Sequence, residues 1–129
     1  RSTLFPYTTL FRSTNRFIDE GIIQAGSSDC PITFSNPLMG IHLAVNRTTQ
    51  SGQKISQGQC INKMEALRLF TYNGAYASFE EDKKGSIEVG KAADLAVLDG
   101  SYRNCEDEKL KDMRVEMTFI DGKLVYDGK

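Results

Sequence analysis

An aspartate that follows a short apolar run is the residue of this chain best suited to chemistry. In the stretch IIQAGSSDCP, Ile22 and Ile23 lead through small residues to Asp29, which lies two residues before Pro31. A carboxylate is ionised at neutral pH, so it can ligate a cation or accept a proton from a bound water. The small side chains before it leave room for a metal ion or a substrate. The alternative is that Asp29 is a turn residue that hydrogen-bonds to its own backbone.

The elements around Asp29 are those that the first interpretation requires, although spacing alone favours the turn role. Residues 21–25 have the pattern of a brief buried strand. After a loop, Pro37 suits the first position of a helix with Asn36 as its cap, and the apolar spacing extends this helix to about Arg47. A strand followed by a helix is the unit from which parallel barrels are built, and their chemistry gathers at the carboxyl ends of the strands. In such a barrel Asp29 would be catalytic.

Further helices are predicted in the middle of the chain. Asn62 to Glu65 has the form of a capping box and starts a helix. We expect Met64, Leu67 and Phe70 to form the buried stripe of this helix. The helical pattern resumes afterwards, which predicts a helix pair or one helix kinked near residues 71–74. Three aromatic residues at helical spacing are then expected to belong to the core, namely Tyr72, Tyr76 and Phe79.

The character of the sequence changes to β after Gly85. Ile87 and Val89 alternate with polar residues, and residues 95–98 form a β-rich run. Residues 115–120 and 123–126 alternate on either side of Asp-Gly, which predicts a two-residue hairpin. We expect Asp94 to cap a turn between these strands rather than to act in chemistry.

Composition limits the functions that remain. The chain has 129 residues, of which 40% are hydrophobic and 26% charged, as expected for one globular domain. A formal net charge of -1 gives no electrostatic case for nucleic acid, and no apolar run approaches the ~20 residues of a membrane helix. The three cysteines, Cys30, Cys60 and Cys105, form no CxxC pair, which favours a reducing cytoplasmic setting without disulfides.

The first 13 residues need a separate interpretation. Residues 3–13, TLFPYTTLFRS, match the frame translation of a common sequencing adapter codon by codon. We therefore expect residues 1–13 to be an artefact and leave them out of the fold prediction. The native chain is then expected to extend upstream of residue 14.

Four segments together resemble the C-terminal end of the amidohydrolase superfamily, and more narrowly the branch that contains N-substituted formamide deformylases. They are GSSDCP, NPLMGIHLAVNR, INKMEALRLFTYNGAYASFEEDKKGSIEVGKAADLAVLD and VEMTFIDGKLVYDG. The resemblance implies an α/β fold in two parts. Residues 14–84 would form the C-terminal portion of a (β/α)8 TIM barrel, its last strand and helices. Residues 85–129 would form strands of a small β-sandwich built from both chain ends.

The resemblance also implies an activity. Members hydrolyse carbon–nitrogen bonds of small amide-type substrates with one or two divalent metals, for which zinc is expected here. Asp29 matches the aspartate that ends the last barrel strand and takes a proton from the attacking water; a weaker expectation makes it a metal ligand as well. A cytoplasmic enzyme that forms a homo-oligomer at full length is expected, without nucleic-acid or membrane partners.

The chain departs from the family in its ligands. The family's HxH pair and its further metal ligands cannot be located, and the one histidine, His42, is expected to be a packing or surface residue. Cys30 is expected to be a small filler. A barrel needs eight strands in about 250 residues, so the isolated chain is expected to be inactive and poorly folded. Two alternatives remain: a self-contained β-rich interaction module, and a metal-free scaffold relative, against which Asp29 argues.

Overall fold

The computed structural model describes residues 14–33, 35–49 and 51–128, and in this part of the chain the α-helices precede the strands. The α-helices are α1 (Thr14–Asp19), α2 (Pro37–Asn46), α3 (Lys63–Leu69) and α4 (Tyr72–Ala77). The strands are β1 (Leu95–Leu98), β2 (Val115–Ile120) and β3 (Lys123–Asp127), and two short 3₁₀ helices are η1 (Gln57–Gln59) and η2 (Asp107–Asp112). The three strands form one antiparallel sheet in the order β1-β2-β3.

Helix α2 begins and ends as its sequence predicts. The side chain of Asn36 accepts a hydrogen bond from the Leu38 N–H at 3.0 Å, and Pro37 occupies the first turn. The helix ends at Arg47, which adopts a left-handed conformation and donates its N–H to the Leu43 carbonyl at 2.9 Å. Both ends of the helix that follows Asp29 are therefore fixed by local hydrogen bonds.

Helices α3 and α4 form the predicted helix pair. The Asn62 side chain caps α3, while the Glu65 carboxylate accepts from the Asn62 N–H at 2.9 Å, so the capping box is complete. The backbone of Thr71, with φ -124 and ψ -97, separates the two helices. The predicted stripe on α3 is wrong at Met64, which is 48% exposed. The small Ala66 is buried instead, because the face that it shares with Leu69 packs into the core.

The C-terminal hairpin has the predicted turn. Ile120 pairs with Lys123, and the two residues between them, Asp121 and Gly122, both have positive φ, as a type I′ turn requires. Asp94 lies just before β1, and its carboxylate accepts the Asp121 N–H at 2.9 Å, so the prediction that Asp94 caps a turn is confirmed.

Several predicted features are wrong. Residues 22–29 form neither helix nor strand, and Ile22 and Ile23 are about half exposed, because no strand of the described chain lies beside them to complete a ladder. Ile87 and Val89 are fully exposed and lie in no strand. The predicted aromatic core also fails: Phe79 is 90% exposed, because α4 ends at Ala77 and helical spacing no longer applies beyond it.

The core of the described chain lies between α2, α3 and η2. Its buried members come mainly from the helices and η2: Leu38, Ile41, Val45, Ile61, Ala66, Leu69 and Leu110. Leu98 and Val115, which pair with each other where β1 and β2 meet η2, pack partly against it. The sheet therefore touches the core only at this end, and no residue of β1, β2 or β3 is fully buried.

Candidate functional site

Asp29 lies at the centre of a tight turn that other groups hold in place. The hydroxyl oxygens of Ser27 and Ser28 accept hydrogen bonds from the backbone N–H groups of Asp29 and Cys30, both at 3.3 Å. The Asp29 carbonyl accepts from the Ile32 N–H at 2.9 Å. Because serine side chains stabilise this turn, the Asp29 carboxylate does not need to do so.

The carboxylate of Asp29 is exposed and makes no hydrogen bond or ion pair with the described residues. Its backbone has a φ of 56, in the left-handed region that aspartate tolerates better than most residues. The geometry thus differs from that of an aspartate that caps its own backbone. No described residue engages either carboxylate oxygen, so within this part of the chain both can bind a substrate, a water or a cation.

The segment before this turn is fixed to the α3–α4 pair. The Gly26 N–H donates to the Leu69 carbonyl at 2.8 Å, and the Asn73 side-chain amide donates to the Gln24 carbonyl at 2.8 Å. These two hydrogen bonds place the residues that lead to Asp29 against the helices. The loop that carries Asp29 therefore starts from a position that these helices fix.

Phe70 packs between two glycines, a contact that sequence reasoning missed. A Cβ atom added at Gly26 would lie 2.7 Å from the Phe70 ring, and one added at Gly40 on α2 would lie 2.6 Å from it. Only glycine fits at either position without displacing the ring. The signal that could have found this contact is Gly40 itself, since a glycine inside a helix is unfavourable by about 1 kcal/mol unless packing requires it.

The sequence-predicted site residues are not brought together. His42 lies in the core on α2 with 7% of its surface exposed, which fits the expected packing role. Cys30 is exposed, so its predicted role as a filler is wrong. Among the residues that the structure describes, no three histidine, cysteine, aspartate or glutamate side chains are grouped to hold a metal ion. These residues therefore do not fit a complete metal site, since Asp29 alone cannot supply one.

An open cleft of about 480 Å³ lies elsewhere, beside α4. Its lining includes Tyr72, Glu81, Asp82, Glu88 and Lys91, but not Asp29. The Lys91 ammonium donates to the Ser86 hydroxyl at 2.6 Å and lies 3.5 Å from the Glu88 carboxylate. The pKa of Glu88 is lowered by its hydrogen bond to Ser86 and by Lys91. These contacts describe a solvated polar surface rather than a reaction site.

The chain belongs to the amidohydrolase family, because the model of that family matches residues 5–126. Over 85% of its length it is 36% identical to the N-substituted formamide deformylase of Arthrobacter pascens. It is 34% identical over 97% of its length to YtcJ, a Bacillus subtilis protein named as an amidohydrolase. The chain spans 20% and 23% of the lengths of these two relatives.

A solved structure shares the fold. The crystal structure of an amidohydrolase from Thermotoga maritima superposes with a TM-score of 0.68 over 91% of this chain and 26% of the other. The two sequences are 24% identical, so this likeness supports the fold alone. None of the helices in the described ranges is long and apolar enough to cross a membrane.

Proposed function

We propose that this chain is the C-terminal segment of a metal-dependent hydrolase that cleaves carbon–nitrogen bonds of small amide-type substrates. Family membership supports the reaction class, and two relatives are named for reactions that cleave a carbon–nitrogen bond: the formamide deformylase and a 5-methylthioadenosine/S-adenosylhomocysteine deaminase of Thermoanaerobacter pseudethanolicus. The observation that carries the proposal is the exposed Asp29 carboxylate, unengaged by the described residues, on a turn that serines hold.

In this proposal Asp29 moves the proton. Its carboxylate accepts a proton from the water that attacks the substrate carbonyl carbon and then delivers it to the leaving nitrogen. A side chain that is already used as a turn cap would have to give up a hydrogen bond first, whereas Asp29 makes none with the described chain. The left-handed backbone costs on the order of 1–3 kcal/mol in most residues, and such conformations are concentrated at functional sites.

The proposal includes a divalent metal, with zinc as the expected ion. Such a metal supplies Lewis-acid activation of water. The described residues do not gather a ligand set for it, so Asp29 is the one residue of this chain that we propose beside the metal.

We further propose that residues 14–84 complete a (β/α)8 barrel and that residues 85–129 complete a small β-sandwich. The half-exposed Ile22 and Ile23 and the exposed residues of β3 support this, because both segments would be covered by further strands. A small-molecule substrate, a cytoplasmic location and a homo-oligomeric full-length enzyme belong to the same proposal, without nucleic-acid or membrane partners.

The alternative function, a self-contained β-rich interaction module, requires the strands after Gly85 to enclose a core of their own. No residue of the three strands is fully buried, and all five residues of β3 are exposed. The sheet is attached to the helical core through η2 and the adjoining strand ends instead. This arrangement favours the hydrolase segment over the module.

Substitution of Asp29 in the full-length enzyme tests the proposal. Asn has nearly the same shape and also tolerates the left-handed conformation, so Asp29→Asn removes the proton acceptor with little change to the turn. We expect kcat to fall by about 10²–10⁴-fold, while the metal content of the purified enzyme changes little.

The matched control is Cys30→Ser, which changes the adjacent exposed residue and is expected to leave kcat near the wild-type value. Metal content is measured by elemental analysis in all three proteins. If Asp29→Asn kept near-normal turnover, Asp29 would have no role in the mechanism. If the variant lost its metal as well as its activity, the main role of Asp29 would be that of a metal ligand rather than a proton acceptor.

A further inference from the structure

The junction between the helices and the sheet contains a buried histidine. Helix η2 lies in the connection between β1 and β2, and its Leu110, which is 0% exposed, packs into the same core as Ile41 of α2. His42 follows Ile41 on α2 and is buried as well. The docking of η2 on α2 therefore fastens the sheet to the helices, and His42 lies at this contact.

One amide group links the histidine to η2. The side-chain nitrogen of Asn46 lies 3.1 Å from Nδ1 of His42, 3.1 Å from the His42 carbonyl and 2.8 Å from the Asp107 carbonyl. An amide nitrogen donates and cannot accept, so the hydrogen bond requires Nδ1 to be an acceptor. With Nδ1 as the acceptor, the imidazole is the neutral tautomer that carries its proton on Nε2.

We propose that His42, Asn46 and the Asp107 carbonyl form a pH-sensitive latch that holds η2 on α2 and opens when the imidazole is protonated. A protonated Nδ1 would point its hydrogen at the Asn46 N–H group, so the hydrogen bond would become a repulsion. Rotating the amide to present its oxygen would not help, since the oxygen would then face the carbonyls of His42 and Asp107. A charged imidazole would therefore lose its hydrogen bond with Asn46 and keep only the Asp107 carbonyl as an acceptor.

The charged groups around His42 belong mostly to η2. Burial, the largest influence, lowers the pKa of His42 from its ordinary 6.5. The Asp107 carbonyl and the carboxylates of Asp112 and Glu108 raise this pKa, while the Lys111 ammonium lowers it. From α3, the Lys63 ammonium lies 3.6 Å from the Asp107 carboxylate and donates to the Cys105 carbonyl at 2.7 Å, so it stabilises the same docked arrangement.

The direction of the pH effect follows from this lowered pKa. An unfolded or undocked imidazole binds a proton more readily than the docked one. The stabilising contribution of the latch is therefore complete above about pH 6.5 and is lost as the pH falls through the lower pKa of the docked state. At most one proton is taken up, so the population of the open state rises by up to about tenfold for each pH unit.

The single histidine makes the first measurement direct. Its C2 proton resonance in the 129-residue chain can be followed by NMR between pH 8 and 4, and we expect a midpoint below 6.5. In parallel, hydrogen exchange of residues 106–113, corrected for the intrinsic pH dependence, should show protection that falls by up to about tenfold per unit below pH 6.5.

His42→Gln, which keeps a polar side chain but cannot titrate, is the matched variant. Its protection over the same residues should stay flat between pH 6.5 and 5, whatever its absolute value. A wild-type midpoint at or above 6.5, which an undocked or unfolded chain would also give, overturns the latch. Parallel loss of protection in wild type and His42→Gln would do so too, because the carboxylates of η2 would then be responsible.

Discussion

The helical part of the chain and its C-terminal sheet are stabilised in different ways. Helices α2 and α3 bury a row of aliphatic side chains against each other and against η2. The sheet buries none of its strand residues completely, and its order comes from the backbone ladder and from hydrogen bonds at its turns. The comparison implies that the same kind of substitution should change the free energy of unfolding greatly in the helical part and only slightly in the sheet.

Leu110 and Leu124 make this difference measurable with the same substitution. Leu110 is completely buried between η2 and α2, whereas Leu124 on β3 is 50% exposed. We expect Leu110→Ala to reduce the free energy of unfolding by about 2–5 kcal/mol, because it removes buried methyl groups and leaves a cavity. Leu124→Ala should cost under about 1 kcal/mol. Both are measured by urea unfolding of the 129-residue chain, which also tests the expectation that the isolated chain is poorly folded, since such a chain would show no cooperative transition.

Equal losses for the two leucines would contradict the comparison. They would mean that β3 is covered in solution, by another copy of the chain or by residues outside the described ranges. Dilution of the protein separates these explanations, since only contact between copies depends on concentration.

Local sequence signals predicted the structure correctly where the stabilising hydrogen bonds join residues that are close in sequence. The Asn36 and Asn62 caps and the Asp121–Gly122 turn each depend on a few adjacent residues, and each was confirmed. The predictions failed where partners are distant in sequence. Residues 21–25 have a strand pattern, but a strand also needs neighbours, and Met64 lies on the wrong face because the direction of the core is set by α2 and η2.

The candidate site was predictable only in part. Asp29 could be singled out from the small residues before it, but spacing alone favoured the turn role, and only the family resemblance favoured the catalytic one. The roles of Ser27 and Ser28 in the turn, and the packing of Phe70 between two glycines, depend on three-dimensional proximity that spacing along the chain does not reveal.

Arg47 is a destabilising residue within the well-packed helical part. It is 7% exposed, and among the described residues its Nε has no hydrogen-bond partner, while burial lowers its pKa. A buried donor without a partner costs about 1–3 kcal/mol. We therefore expect Arg47→Met, which keeps the length of the side chain, to raise the free energy of unfolding by a similar amount. The exposed Arg114→Met, at the edge of the sheet, should change it by less than about 0.5 kcal/mol.

Urea unfolding of the two variants side by side provides the measurement. A destabilised Arg47→Met would show that the guanidinium has an acceptor beyond the described residues. The strength of packing around α2 would then depend on an ion pair rather than on aliphatic contacts alone.

The smallest expected change in the free energy of unfolding comes from substitution of Asp94, next to the sheet. Its carboxylate accepts the Asp121 N–H at 2.9 Å, and the neighbouring Ala93 carbonyl accepts the Gly122 N–H at 3.0 Å, so two hydrogen bonds attach the hairpin turn to the start of β1. We expect Asp94→Ala to reduce the free energy of unfolding by about 0.5–1 kcal/mol, because the exposed Asp121 N–H can bond to water instead. Asp94→Asn keeps an acceptor oxygen and should cost less.

Hydrogen exchange at the Asp121 amide separates a local effect from a global one. If the sheet depends on its turns, exchange there should accelerate in Asp94→Ala while the amides of α2 keep their protection. A loss of protection that extends to α2 would mean that the hairpin and the helical core unfold as one unit, and that the two regions differ in burial but not in cooperativity.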